Sequence, residues 1–215
     1  MIPYICEQFT KHFNKDDIKT IFQLGASDAH DTIEMLSFYN PDVLVFFECH
    51  PGILHCGRDV VKNYIGKTKL YFIEKAIHSY VGQLDIWSVP LDDPRKEGFE
   101  SSSIFRNSTI IEQNILKLPC TTLDEEAKRL GIDSIDLLCA DVEGNEFNAF
   151  TNQNILHKTK YIITEVGVDR NWRPGNPVLD DLEILLSGYG FVKKDFYWGH
   201  VGCCGEALFV NERII

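Results

Sequence analysis

The sequence predicts an α/β domain: a mostly parallel sheet with helices on both faces and an antiparallel pair of strands at its C-terminal end. Three observations predict it. Short apolar runs alternate with helix-compatible stretches from Thr20 onward, the pattern of successive βαβ units. Four of those runs end at or near a glycine or an acid, namely Gly25, Glu48, Asp141 and Glu165. Open α/β sheets bind ligands at that end of their strands. Finally, two extended stretches, Phe191 to Trp198 and Glu206 to Asn211, close the chain with no helix between them.

Bulk properties narrow the class. The 215 residues, 44% of them hydrophobic, suit a single domain over 1–215, with residues 1–19 as an N-terminal helical extension. A core of that size needs no staples. The net charge of -11 argues against nucleic acid as a partner, because binding phosphates takes clustered Lys and Arg. The densest basic stretch, Lys62, Lys67, Lys69 and Lys75, is interrupted by Tyr64, Gly66 and Glu74. No signal peptide is evident, and no apolar run approaches the roughly 20 residues that span a bilayer, so no membrane is expected as a partner. The seven cysteines form no C-x-x-C pair, which reads as reduced thiols in a cytoplasmic protein. Asn107-Ser108-Thr109 has the form of a glycosylation sequon and reads as coincidence.

In chain order, Ile5, Phe9 and Phe13 mark one face of an N-terminal helix. Thr20 to Leu24 is a strand, Gly25 to Ala29 a turn of small residues, His30 to Tyr39 a helix, and Val43 to Phe47 a second strand. Gly52 to Tyr64 reads as a helix and Leu70 to Ile77 as a third strand, with a hairpin turn at Ser79 to Gly82 leading into Val81 to Val89. Residues 90–113 form a long polar loop containing Ser101-Ser102-Ser103. After a short strand at Leu116 to Thr121, Asp124, Glu125 and Glu126 open a helix that Gly131 ends, the acids lying where the helix dipole favours them. Ser134 to Val142 is a strand, Glu146 to Phe150 a helix, Lys160 to Val166 a strand, and Leu179 to Leu186 a helix.

The turn after the first strand lacks a G-x-G-x-x-G fingerprint; Ser27 and His30 stand at its second and third glycine positions. Glu48 lies about 20 residues on, where nucleotide-binding units hold a ribose. LGASDAHDT at 24–32, FECHP at 47–51 and TTLDEEAKRLGIDSIDLLCADVEGNEF at 121–147 together resemble the FkbM family of class I S-adenosylmethionine-dependent methyltransferases. The family reads Ile-Gly-Ala-Asn-x-Gly-x-x-Thr, Phe-Glu-Pro-x-Pro, and Thr-Leu-Asp followed by Asp-Val-Glu-Gly-x-Glu. The resemblance spans roughly residues 20 to 211. Three positions depart from it: Gln23 replaces an acid, Ala29 a glycine and Cys139 a lysine.

The resemblance implies a seven-stranded Rossmann-like fold, S-adenosyl-L-methionine as cofactor, and methyl transfer to hydroxyl oxygens, most often of sugars. It implies a cofactor site of Gly25, Ala26, Ser27, Asp28, Thr32, Glu48, Cys49, Ala76, Ile77, Asp141 and Glu143. Glu48 would take the ribose hydroxyls, a task suited to a carboxylate, and Asp141 would face the transferred methyl. Asp141, Glu165 and His200 are the candidates for the base, His200 because its pKa lies naturally near working pH. Ser102, Ser103, Arg106, Arg170, Trp172 and Trp198 are candidate acceptor contacts, a polar and aromatic set suited to a glycan or small-molecule acceptor. A divalent metal at Asp141 and Glu165 is an option that the spacing does not require. Two alternatives stay open: a binding module that keeps the fold without turnover, and a dinucleotide-dependent oxidoreductase.

Overall fold

The computed structural model describes residues 3–91, 99, 101–106, 113–170, 175–199 and 202–215. Ten strands occur among them: β1 (Thr20–Leu24), β2 (Val43–Phe47), β3 (Lys69–Ile73), β4 (Ala76–Ile77), β5 (Gly82–Ser88), β6 (Asn114–Thr121), β7 (Ile135–Ala140), β8 (Thr159–Gly167), β9 (Phe191–Trp198) and β10 (Cys204–Asn211). The helices are α1 (Glu7–Thr10), α2 (His30–Tyr39), α3 (Leu54–Asn63), α4 (Leu123–Leu130), α5 (Glu146–Phe150) and α6 (Leu179–Tyr189). The seven-stranded main sheet has the order β3-β2-β1-β7-β8-β10-β9. Its first five strands are parallel, and β10 runs antiparallel to both β8 and β9. Chain order reverses between β1 and β7, so a crevice opens above their C-terminal ends.

Side chains alternate across this sheet into two cores. Phe22, Leu24, Phe47 and Ile162 face α4, α5 and α6 through Leu123, Phe150 and Leu182. Ile21, Leu44, Leu137 and Ile163 face the opposite layer, which includes Phe9 and Met35. This alternation accounts for two of the departures from the family pattern. Cys139 is fully buried on the second face, with Sγ 3.7 Å from Met35 Sδ, a position for a small apolar group. Gln23 lies on the same face, and Thr32 Oγ1 donates to its Oε1 at 2.6 Å. A neutral amide suits that interior, where an unpaired carboxylate would be costly.

Three expectations change. The stretch from Leu70 to Ile77 is two strands, because charged Glu74 and Lys75 leave the sheet to pair with Arg58 and Glu126. Ala76 and Ile77 thereby join a second sheet, of order β4-β6-β5, in which β6 separates β4 from β5; the expected hairpin is absent from the described residues. The N-terminal segment is α1 flanked by 3-10 turns at Pro3–Ile5 and Lys15–Asp17, the second opened by Asn14, whose Oδ1 accepts from Asp16 N at 3.2 Å. Gln8, Lys11 and His12 converge instead on Asp195 of edge strand β9. No helix among the described residues is long and apolar enough to cross a membrane.

Candidate active site

The crevice above β1 and β7 is a cleft lined by residues that include Gly25, Glu48, Ile77 and Asp141. Gly25, at the end of β1, has φ +74°, and a Cβ built there would lie 1.8 Å from the Asp141 carbonyl oxygen. The turn and the end of β7 therefore approach more closely than any side chain allows. Ala26 N then donates to Phe47 O at 2.8 Å, and Ser27 N to Glu48 Oε2 at 2.9 Å, tying the turn to the end of β2. Ser27 and Ala29 both take positive φ, 48° and 62°. Ala29 thus holds a left-handed conformation that glycine adopts more readily, at a cost of order 1 kcal/mol.

Glu48 is gripped by its own neighbours. Oε1 accepts from Cys49 N and His50 N, both at 2.7 Å, and Oε2 from Ser27 N. Burial raises its pKa while these three N–H groups pull it down, with a net rise. A carboxylate offers about four lone-pair sites, so one is left toward the cleft.

His50 is nearly inaccessible and stacks on Phe99, with ring centroids 4.5 Å apart. Its Nδ1 accepts from Gly52 N at 3.2 Å, so its other nitrogen, 2.8 Å from Ser88 Oγ, carries the proton. The remaining wall is apolar, from Ala76, Ile77, Ile86, Phe99 and Ile104, and suits a flat ring. Phe99, Ile86 and Lys75 escape a motif-based reading because they arrive from the long loop, the second sheet and the break after β3. No spacing rule links them to β1.

At the other end of the cleft lie acids. Asp141 and Glu143 line it, and carboxylate oxygens of Asp141, Glu146 and Glu165 all fall within 4.8 Å of one another. Glu146 holds the bend after β7, accepting from Val142 N at 2.9 Å and Gly144 N at 3.4 Å. Burial pushes its carboxyl up to about 7. Glu206 of β10 is directly paired with Glu165 of β8, so their side chains share a face. Burial, followed by the charge of Asp141, pushes Glu165 up to about 10 and Glu206 up to about 9. Glu206 Oε2 is buried without a hydrogen-bond partner among the described residues. No Lys, Arg or His among those residues forms an ion pair with Glu146, Glu165 or Glu206. Carboxyls raised this far hold their protons at neutral pH and ionise more readily once a positive charge lies beside them. Glu206 was missed because it lies within the apolar run of β10, where one acid reads as a solvent-facing position.

The other candidate residues separate. Thr32 is consumed by Gln23 and lies outside the cleft, and exposed Asp28 caps α2 through its bond from His30 N at 2.9 Å. Cys49 lines the cleft, and burial pushes its thiol well above the usual range, so it acts as a wall. Ser102 and Ser103 line this same cleft and not a separate acceptor pocket. Arg106 sits over the Trp87 ring, 5.6 Å from its centroid. Arg170 pairs with Asp181 at 2.9 Å, outside the cleft. Trp198 is exposed at the end of β9, paired with Gly205 and so on the opposite face from Glu206, and it packs edge-on against Phe196. His200 and Trp172 lie outside the described residues.

The strand order, the glycine turn against the end of β7 and the acid after β2 define a protein with the class I methyltransferase fold. The family model for the methyltransferase FkbM domain matches residues 6–193, and the chain belongs to that family. Among solved structures it is similar to a methyltransferase FkbM from Methylobacillus flagellatus KT, with 11% identity and a TM-score of 0.61. That match covers 94% of this chain and 45% of the other, so this chain spans less than half of that relative's length. It is also similar to M. capricolum TrmK in complex with S-adenosyl-homocysteine, with 11% identity, TM-score 0.57, and coverage of 99% of this chain and 70% of that one. Aeropyrum pernix fibrillarin with natively bound S-adenosyl-L-methionine gives 12% identity, TM-score 0.54, and coverage of 92% and 69%. No curated protein sequence matches the chain.

Proposed function

We propose that this chain is an S-adenosyl-L-methionine-dependent O-methyltransferase that methylates a hydroxyl of a sugar in a glycan. The observation that carries the cofactor reading is the polarity of one continuous cleft. It has a close-approach glycine turn at Gly25, a held carboxylate at Glu48, an apolar wall at Ile77 and Ile86, and buried acids beside Asp141. Bound there, the cofactor supplies an electrophilic methyl on a positively charged sulfur. That charge would favour the ionised forms of Asp141, Glu165 and Glu206, whose oxygens could then receive the proton of an acceptor hydroxyl. Alignment of the acceptor supplies much of the rate, because methyl transfer is an in-line displacement.

A hydroxyl acceptor is supported by the family resemblance and by these acids, since a hydroxyl gains from a positioned base. The net charge of -11 weighs against an RNA substrate. With free thiols at all seven cysteines, we place the enzyme in the cytoplasm. No step requires a metal, although the spacing of Asp141, Glu146 and Glu165 would admit one. Titration calorimetry with S-adenosylmethionine and S-adenosylhomocysteine, followed by a screen of sugar acceptors with and without chelator, tests the reading. Binding in the micromolar range and a methylated sugar hydroxyl are expected. Absence of binding to the intact protein would refute the cofactor site, and binding with methylation confined to amines or nucleic acid would refute the acceptor class.

A further inference from the structure

One stretch of residues along the cleft makes contacts toward both ends of the site. Ser103 is buried, and its backbone exchanges hydrogen bonds in both directions with Trp87 at the end of β5, 2.7 and 3.0 Å. Its Oγ accepts from Phe105 N at 3.0 Å and lies 2.5 Å from the carbonyl oxygen of Glu143. A carbonyl can only accept, so the hydroxyl proton is directed at Glu143. That carbonyl belongs to a bend with consecutive positive φ values, 57° at Glu143 and 95° at Gly144. Such a conformation at a non-glycine residue persists only where its surroundings hold it. Ser103 holds its carbonyl side, while Glu146 holds the N–H groups of Val142 and Gly144.

The same segment reaches the other end. Phe99 stacks on His50, whose backbone N–H is one of the three that orient Glu48. Ser102 and Ile104 line the cleft between these two anchors, and Ser102 Oγ is buried with no hydrogen-bond partner among the described residues. A polar group left in that state is costly unless something fills the cleft and bonds to it.

We propose that Phe99 and Ser101–Phe105 roof the cofactor cleft, and that Ser103 is a positioning residue whose bond to Glu143 latches the roof over bound cofactor and limits its exchange. The inference rests on the cofactor reading above. A latched roof couples the ribose end of the site to the methyl end, since Glu48 and the bend after Asp141 are then ordered by one segment. It also explains why a serine-rich stretch of a long polar loop is buried at Ser103.

The test compares the intact protein with Ser103→Ala, using S-adenosylhomocysteine as the probe. Stopped-flow displacement gives its dissociation rate, and thermal unfolding gives stability. A dissociation rate raised about tenfold with a midpoint within a few degrees of wild type is expected. Hydrogen exchange on the wild-type protein supplies a second readout that needs no variant. Saturating S-adenosylhomocysteine should slow exchange at the Phe105 and Trp87 amides, whose acceptors are Ser103 atoms. If the wild-type protein binds the probe, but its release is unchanged in Ser103→Ala and those amides gain no protection, the latch is refuted and the cofactor site stands. A lowered midpoint with unchanged release would likewise reduce Ser103 to a fold-supporting role. No binding by wild type would refute the cofactor reading, and the latch with it.

Discussion

Replacing Glu206 by Gln should leave the protein as stable as wild type in mild acid and make it more stable in mild base. Burial beside Asp141 and Glu146 raises this carboxyl from 4.5 to about 9. Between those two values the folded chain holds a proton that the unfolded chain has released. Stability from this group is therefore complete below pH 4.5 and declines as pH rises toward 9. One such proton corresponds to a slope of about 1.4 kcal/mol per pH unit. Gln resembles the neutral acid in shape and cannot ionise, so it removes one proton from the slope. Across three pH units, from about 5.5 to about 8.5, the gap between variant and wild type should widen in the variant's favour by up to about 4 kcal/mol. Glu165, raised to about 10, stays in both proteins and keeps the remaining slope downhill. Urea unfolding at several pH values in that window measures both curves. Parallel curves would mean that Glu206 is ionised at neutral pH, and the charge argument for this end of the cleft would fail.

Other consequences can be checked with the same preparations. If the sulfonium lies near Glu165 and Glu206, affinity for S-adenosylmethionine should rise with pH more steeply than affinity for neutral S-adenosylhomocysteine. Identical pH profiles by calorimetry would place the acids away from the sulfur. Glu48→Ala should weaken binding of either ligand about tenfold, or about 1.4 kcal/mol, because it removes the acceptor left toward the cleft and loosens the backbone of Ser27, Cys49 and His50. Gly25→Ala sets a Cβ against the Asp141 carbonyl at a positive φ and should abolish ligand binding while lowering the unfolding midpoint. Ala29→Gly should be neutral or stabilising by up to about 1 kcal/mol in urea unfolding, because it relieves a left-handed alanine. A clear loss of stability would show that the methyl group contributes more through packing than it costs in strain.

Much of the frame is legible from local pattern. The bounds of β1, α2, β2, α5 and β9 coincide with the runs and breaks in the sequence; for β1 and β2 the reason is that a buried parallel strand reads as an uninterrupted apolar run. Gly25, Glu48 and Asp141 were legible for a related reason. Each sits at the end of such a run, and chain direction alone places those ends on one side of a parallel sheet. The family, too, could be read from the motifs around these residues. Long-range pairing was not legible. That Ala76 and Ile77 leave the main sheet for β6 depends on partners such as Glu126 for Lys75, distant in sequence. Glu206 faces Glu165 only because β10 enters antiparallel beside β8 in one register, and a shift of one residue would turn it to the other face. Ser103, which a linear reading gives to the acceptor, reaches Glu143 through a fold that spans 40 residues. Sequence determined the strand ends and the chemistry carried there. Tertiary structure alone decided which carboxylates meet away from water and which loop covers the cleft, since both depend on register and burial.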